Sequence, residues 1–257
     1  RTDVNGSGAY CGWQWKAGTS FSNSSGSNGA NLDSTGSVST TAGFSIVSFT
    51  GNRSTTRNIY HGLGAVPKMI IFKNLSSTNG WTIYNETIGN AKKLTLNNDS
   101  AAGNCTACFA STTPTSTLFT VGDDGDTNGD SENMIAYCFT NVKGYSKIGS
   151  YTGNGDADGT YVHLGFKPAF VMIKSSSNSS QSWVIQDNKR DGFNYNNHRL
   201  FANSSGNEET TVRMDLLSNG FKCRDNDGNG NGFVYIFMAF AESPFVTGAS
   251  AIPTTAR

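Results

Sequence analysis

The chain carries the same sentence twice. From Gly43 to Asn74 it reads GFSIVSFTGNRSTTRNIYHGLGAVPKMIIFKN, and from Gly144 to Lys174 it reads GYSKIGSYTGNGDADGTYVHLGFKPAFVMIK. Phe44 falls opposite Tyr145, Gly51-Asn52 opposite Gly153-Asn154, Gly64 opposite Gly165, and Pro67 opposite Pro168. Lys73 then meets Lys174, Trp81 meets Trp183, Leu94 meets Leu200 and Phe119 meets Phe221. MIAYCF (Met134–Phe139) lies opposite YIFMAF (Tyr235–Phe240). The offset stays near ~101 residues apart from loop insertions, a duplicated domain-sized unit rather than the period of about 20–50 residues that marks a solenoid.

Within each copy the pattern belongs to strands. FSIVSFT alternates, KMIIFK and AFVMIK are short apolar runs, and GWTIYNE and SWVIQDN place Trp, Ile, Val and Tyr where a pleated surface favours them. Gly, Asn, Ser and Asp clusters between these runs read as turns. No stretch of helical period of any length is present; DLLSNGF is short and contains the turn pair Asn219-Gly220. The expected fold is all-β, with two tandem antiparallel β-sandwich units of jelly-roll or lectin-like type, each about a hundred residues long. The expected boundaries are a Gly/Ser-rich extended arm at 1–42, repeats at 43–143 and 144–245, and a tail at 246–257. Starting at Arg1 without Met or a signal-like segment, the chain reads as a processed product or the ordered part of a longer polypeptide.

Formal net charge is zero, which argues against a nucleic-acid binder relying on a basic face. No apolar run approaches the ~18–20 residues of a membrane helix, so no membrane insertion is expected. With 16 Phe, 9 Tyr and 4 Trp the chain can bury a sizeable core, so disorder is excluded. Charged residues are 15% of the chain, so Ser, Thr, Asn and Gly carry the surface polarity, as suits an extracellular β protein. The cysteines are Cys11, Cys105, Cys108, Cys138 and Cys223. CTAC has metal-knuckle spacing but no second pair to complete four ligands, so ordinary thiols or one incidental bridge are expected.

Three acidic-glycine loops carry the chemistry most worth weighing. DGDTNG (Asp124, Asp126, Asn128), DNDGNG (Asp225, Asp227, Asn229) and NGDADG (Asn154–Gly159) each fit the front half of a calcium loop, in which alternate oxygens converge on a hard cation. None ends in the bidentate Glu; Ile135 and Ile236 occupy that place in the first two. Plain polar hairpins choose the same residues. Both readings stand at this point, with calcium the one cofactor in view.

No catalytic residue is assigned. His61 and His163 fall close together beside glycine turns and read as structural, while His198 stands alone. Glu86 and Asp187 occupy matching strand ends, one per copy, and read as a shared turn rather than a pair of facing carboxylates. Neither a G-x-S-x-G elbow nor a phosphate-binding loop is present. Trp81 and Trp183 offer faces for stacking on a sugar, but their apolar alternation reads as core. Trp13 and Trp15, two apart and on one face if extended, are the binding candidates, for a glycan or a neighbouring chain.

The lines GFSIVSFTGN…HGLGAVPKMIIFKN, GSYTGNGDADGTYVHLGFKPAFVMIK, LLSNGFK and YIFMAFAESPF, with WQWKAG before them, resemble an uncharacterised β-rich domain of marine and cyanobacterial bacteriophage virion structural proteins. The resemblance runs from about Tyr10 to Phe245, and the Asp-rich hairpins depart from it. It implies a non-enzymatic, extracellular virion-surface role in a tail fibre, head fibre or capsid decoration. The implied partners are other virion proteins, further copies of the chain in a homo-oligomer, and a host-surface glycan. A host-polysaccharide depolymerase and a secreted cellular adhesin or filament subunit are the competing expectations.

Overall fold

The computed structural model describes residues 10–16, 18–191 and 194–244; the expected tail at 246–257 lies outside them. The first half supplies β1 (Thr19–Asn23), β2 (Ser34–Ser39), β3 (Phe44–Thr50), β4 (Arg57–Tyr60), β5 (Met69–Asn74), β6 (Thr82–Asn85), β7 (Lys92–Thr95), β8 (Gly103–Asn104), β9 (Leu118–Val121) and β10 (Asn133–Phe139). One helical turn, α1 (Gly125–Asn128), lies between β9 and β10. The second half supplies β11 (Ser146–Thr152), β12 (Tyr161–His163), β13 (Pro168–Ser175), β14 (Val184–Asp187), β15 (Asn196–Phe201), β16 (Glu209–Leu217), β17 (Gly220–Cys223) and β18 (Val234–Ala241). The protein is all-β, and every strand pairing among the described residues is antiparallel.

Strand order recurs between the halves. One sheet runs β1-β2-β3-β10-β5-β6-β7-β8 and the other β11-β18-β13-β14-β15-β16-β17-β12, so β3-β10-β5-β6-β7 answers to β11-β18-β13-β14-β15. The pair β4-β9 stands apart in the first half, where its counterpart β12-β17 is joined to the main sheet through β16. The segment after β8 takes a different course, closed by a Cys105–Cys108 disulfide. Two glycine pairs show why the repeat keeps them. A Cβ on Gly51 would lie 2.3 Å from the Gly129 carbonyl oxygen, and one on Gly153 2.3 Å from that of Gly230. Gly64 and Gly165 hold φ at 69° and 83°, where other side chains are strained.

The central strands of each main sheet are largely buried on both faces. Along β18, Tyr235, Phe237 and Ala239 enter one core while Ile236, Met238 and Phe240 enter another. Along β10, Met134, Ala136 and Cys138 face the β4-β9 side, and Tyr137 and Phe139 face away. The core between the sheets draws on both halves: Phe44, Met69, Ile83, Leu94 and Phe139 meet Ile148, Phe170, Met172, Trp183, Ile185 and Phe240. This is why MIIFK and FVMIK read as continuous apolar runs, since a strand covered on both sides has no face to leave polar. Each fully buried large side chain contributes roughly 1.5–3 kcal/mol, so this shared core couples the two sheets energetically.

The Gly/Ser-rich segment expected as an extended arm is structured from β1 onward. β1 and β2 form a hairpin that lengthens the first sheet along β3, with Gly36 opposite Val47 and Val38 opposite Ser45. Backbone ladder bonds to β3 hold it where side-chain pattern alone gives little signal. Among the described residues, the matching strand β11 has no such neighbour. There the Asn141 side chain takes the place of one, accepting from the Ile148 N–H at 2.7 Å and donating to its carbonyl at 3.2 Å. An edge closed in this way resists pairing with another chain.

Candidate functional site

A surface recess with a coherent lining lies in the first half. The turn and strand from Ser25 to Thr35 form one wall of a groove of about 810 Å³ over the ends of β3 and β10. Leu75 and half-buried Leu32 supply its accessible apolar surface, with buried Phe49 and Met134 beneath, and Asn31, Thr35, Ser48, Thr50, Asn52 and Asn133 supply its neutral polar one. Among the described residues, Asp33 is the one ionisable lining residue, and its Oδ1 accepts from the Ser25 N–H at 2.7 Å. No motif of the sequence marks this groove. A signal was present in the repeat itself, because Asn133 on β10 is replaced by Val234 at the matching place on β18.

The acidic-glycine loops are closed by the protein's own groups. Asp124 caps α1, its Oδ1 accepting from the Asp126 N–H at 2.9 Å, and Asp225 accepts from Asp227 N–H at the same distance. Asp126 meets Lys93 Nζ at 2.6 Å and Asp227 meets Arg199, with Asp225 paired to Arg213. Lys93 precedes Leu94 as Arg199 precedes Leu200, so the closing cation is itself duplicated. Asn128 and Asn229 are fully buried. Asn128 Oδ1 accepts from Asn52 N–H while Nδ2 donates to the Ser54 and Gly122 carbonyls. Asn229 Oδ1 accepts from Asn154 and Thr160 N–H while Nδ2 donates to Asn154 Oδ1 and the Asp156 carbonyl. Each is a latch between the β9–β10 or β17–β18 connection and the loop after the repeated Gly-Asn. In NGDADG, Asp158 is exposed and pairs with Lys222. Among the described residues, the convergent set of His, Cys, Asp or Glu donors is Cys105, Cys108 and Asp124, and its two sulfurs are bonded to each other.

Trp13 and Trp15 both turn toward the body. Trp13 stands edge-on to Phe170 at 5.7 Å, and Trp15 contacts Phe139, Phe170 and Phe240 at 5.4–6.0 Å, so rings from both halves receive them. They are half-buried and lie away from the groove's lining residues.

A family description, "Domain of unknown function (DUF7483)", matches residues 1–244. The chain belongs to the DUF7483 family. No curated protein and no solved structure matches it. The match spans both repeats and the segment before them, so the DUF7483 unit is the duplicated body as a whole.

The perturbed groups of this DUF7483 chain are spent on structure. His61 is fully buried; its Nδ1 accepts from the Leu63 N–H and its Nε2 donates to the Thr115 carbonyl. Burial pushes its pKa down to about 4, against a weaker opposing pull from Thr115. An unfolded His61 takes its proton near the ordinary value and the folded one near about 4, so the unfolded state binds more protons in that window. Stability should therefore fall by about 3 kcal/mol as pH drops from about 6.5 to about 4, then level off for this group. Urea midpoints measured across that range should show the slope, and His61→Gln should flatten it; an unchanged slope in the variant refutes the assignment. By register, Tyr60 rather than His61 is the repeat counterpart of His163, which is exposed.

Lys174 is 1% exposed, and burial lowers its pKa to about 8. Its Nζ donates to the Ser175 and Asp99 carbonyls, as Lys73 Nζ donates to those of Asn74, Ser77 and Asn79. The repeated lysine is a loop clamp, and in the second half it reaches into the first. The register also moves the carboxylate alignment by one place: Asp187 answers to Asn85, each accepting from the N–H two residues on, and Glu86 answers to Asn188. Glu86 pairs with Lys68. Burial alone would raise the Asp187 carboxyl, but hydrogen bonds from Arg190 and from the Lys189 and Arg190 N–H groups hold it below the usual range.

Proposed function

We propose that this chain is a non-enzymatic structural and attachment module of a virion surface, exposed to the extracellular medium. The observation that carries the reading is the shared core between the two sheets, sealed by Trp13 and Trp15. Repeated Trp183, Lys174, Asn229 and their counterparts serve packing and loop closure, the economy of an architectural part. In this reading each half is a lectin-like β-sandwich unit, and duplication provides one frame with two differing loop sets. The Cys105–Cys108 bridge accords with life in an oxidising medium. The resemblance to phage virion proteins supplies the particle, and further copies of the chain, other virion proteins and a host glycan are the partners it brings.

Imaging the assembly that carries the full chain, at a resolution showing its neighbours, should place it on the outer surface of a particle as a fibre or decoration. Finding it instead as a free monomer, or in a cellular filament, would overturn the virion role. Cleavage of a host polysaccharide by the purified chain would overturn the non-enzymatic one.

A further inference from the structure

The geometry points to the first-half groove as a binding site for a neutral saccharide, deepening the attachment role proposed above and resting on it for the biological setting. The groove falls within the ~300–1,000 Å³ span of ligand clefts. Cross-strand register fixes its recognition surface: Thr35 lies opposite Ser48 on β2-β3, and Thr50 opposite Asn133 on β3-β10. Ser48 and Thr50 are two apart and share one face, so the four side chains form a contiguous polar quartet. All four residues are exposed. None of these hydroxyls, nor the Asn133 amide, is hydrogen-bonded to another described residue. Each hydroxyl can donate and accept, and the amide does both through separate atoms, matching the mixed donors and acceptors of sugar hydroxyls.

Charge narrows the class further. Among the described residues, no Lys or Arg lines the groove to receive a carboxylate or sulfate, and Asp33 disfavours an anion. Leu75, 58% exposed, offers apolar surface beside the quartet for the C–H face of a ring. A neutral, hydroxyl-rich ligand with apolar faces satisfies all of these features.

The second half is a built-in control. Among the described residues it has no hairpin wall beside β11, Asn141 closes that edge, and Val234 replaces the amide. Among the described residues, the site belongs to the first half.

Saturation-transfer NMR of the full chain against a panel of neutral oligosaccharides, with uronate-bearing and sialylated members alongside, tests the assignment. At least one neutral member should bind, and affinity should fall about tenfold or more in Ser48→Val/Thr50→Val through lost hydrogen bonds. Asn133→Val, at an exposed position, gives a second reading should the double variant fold poorly. Ser150→Val/Thr152→Val in the second half should leave binding unchanged. Preference for the charged members, indifference to both groove variants, or no neutral binder in the panel overturns the site. A particle-borne chain that binds no sugar defeats this inference alone, whereas sugar binding by a chain found on no particle defeats only the virion setting.

Discussion

Asn229→Asp should lower the thermal midpoint by roughly 10 °C, with calcium or with chelator. The native amide donates to Asn154 Oδ1 at 2.7 Å and to the Asp156 carbonyl at 2.9 Å, in a fully buried position. A carboxylate in its place turns an oxygen toward two acceptors, losing both bonds and burying a charge. The cost is roughly 3–5 kcal/mol, and a chain of this size loses about 2–4 °C per kcal/mol. Asn128→Asp should behave alike, since its Nδ2 faces the Ser54 and Gly122 carbonyls. The calcium reading expects the opposite sign. There the added carboxylate is a stronger ligand, and calcium should raise the variant's midpoint by mass action. Scanning calorimetry of the wild type and both variants, in excess calcium and in chelator, separates the two, because a calcium-dependent gain would sink the latch.

That contrast shows where the sequence was readable. Phe119 and Phe221, Trp81 and Trp183, and Lys73 and Lys174 hold matching register positions as aligned, because strand alternation and turn glycines are local properties. The acidic loops were ambiguous because their meaning lies in distant strands. Lys93 reaches Asp126 from 33 residues away and Arg199 reaches Asp227 from 28. A motif lists its own oxygens and is silent about the cation that arrives from elsewhere. Glu86 and Asp187 stand one register position apart because loop insertions shift the offset, and a single residue changes which side chain caps the turn. The β1-β2 hairpin was illegible for another reason. Ser, Thr and Gly carry little alternation, and the ladder to β3 makes the strand. The groove depends on that hairpin, so it could not be read before the hairpin was.

Trp183→Ala should cost roughly 3–5 kcal/mol, while Trp81→Ala should cost about 1–2 kcal/mol, although the two tryptophans are the same letter of the repeat. Their backbones are held identically, each N–H donating to an asparagine Oδ1, Asn97 for Trp81 and Asn203 for Trp183. Their rings part ways. Trp81 is half-buried and stacks on Tyr137 at 6.3 Å within its own half. Trp183 is 1% exposed, enters the core between the sheets, and donates from Nε1 to the Thr95 carbonyl of the other half at 2.9 Å. Truncating it empties a volume that neighbours from two sheets must close, and it removes a polar tie across the boundary. The variant should therefore unfold in two steps by tryptophan fluorescence and far-UV circular dichroism, where the wild type gives one coincident transition. Equal costs for the two substitutions, or a wild type whose halves already melt separately, would mean that the shared core does not join them and that the architectural role loses its physical basis.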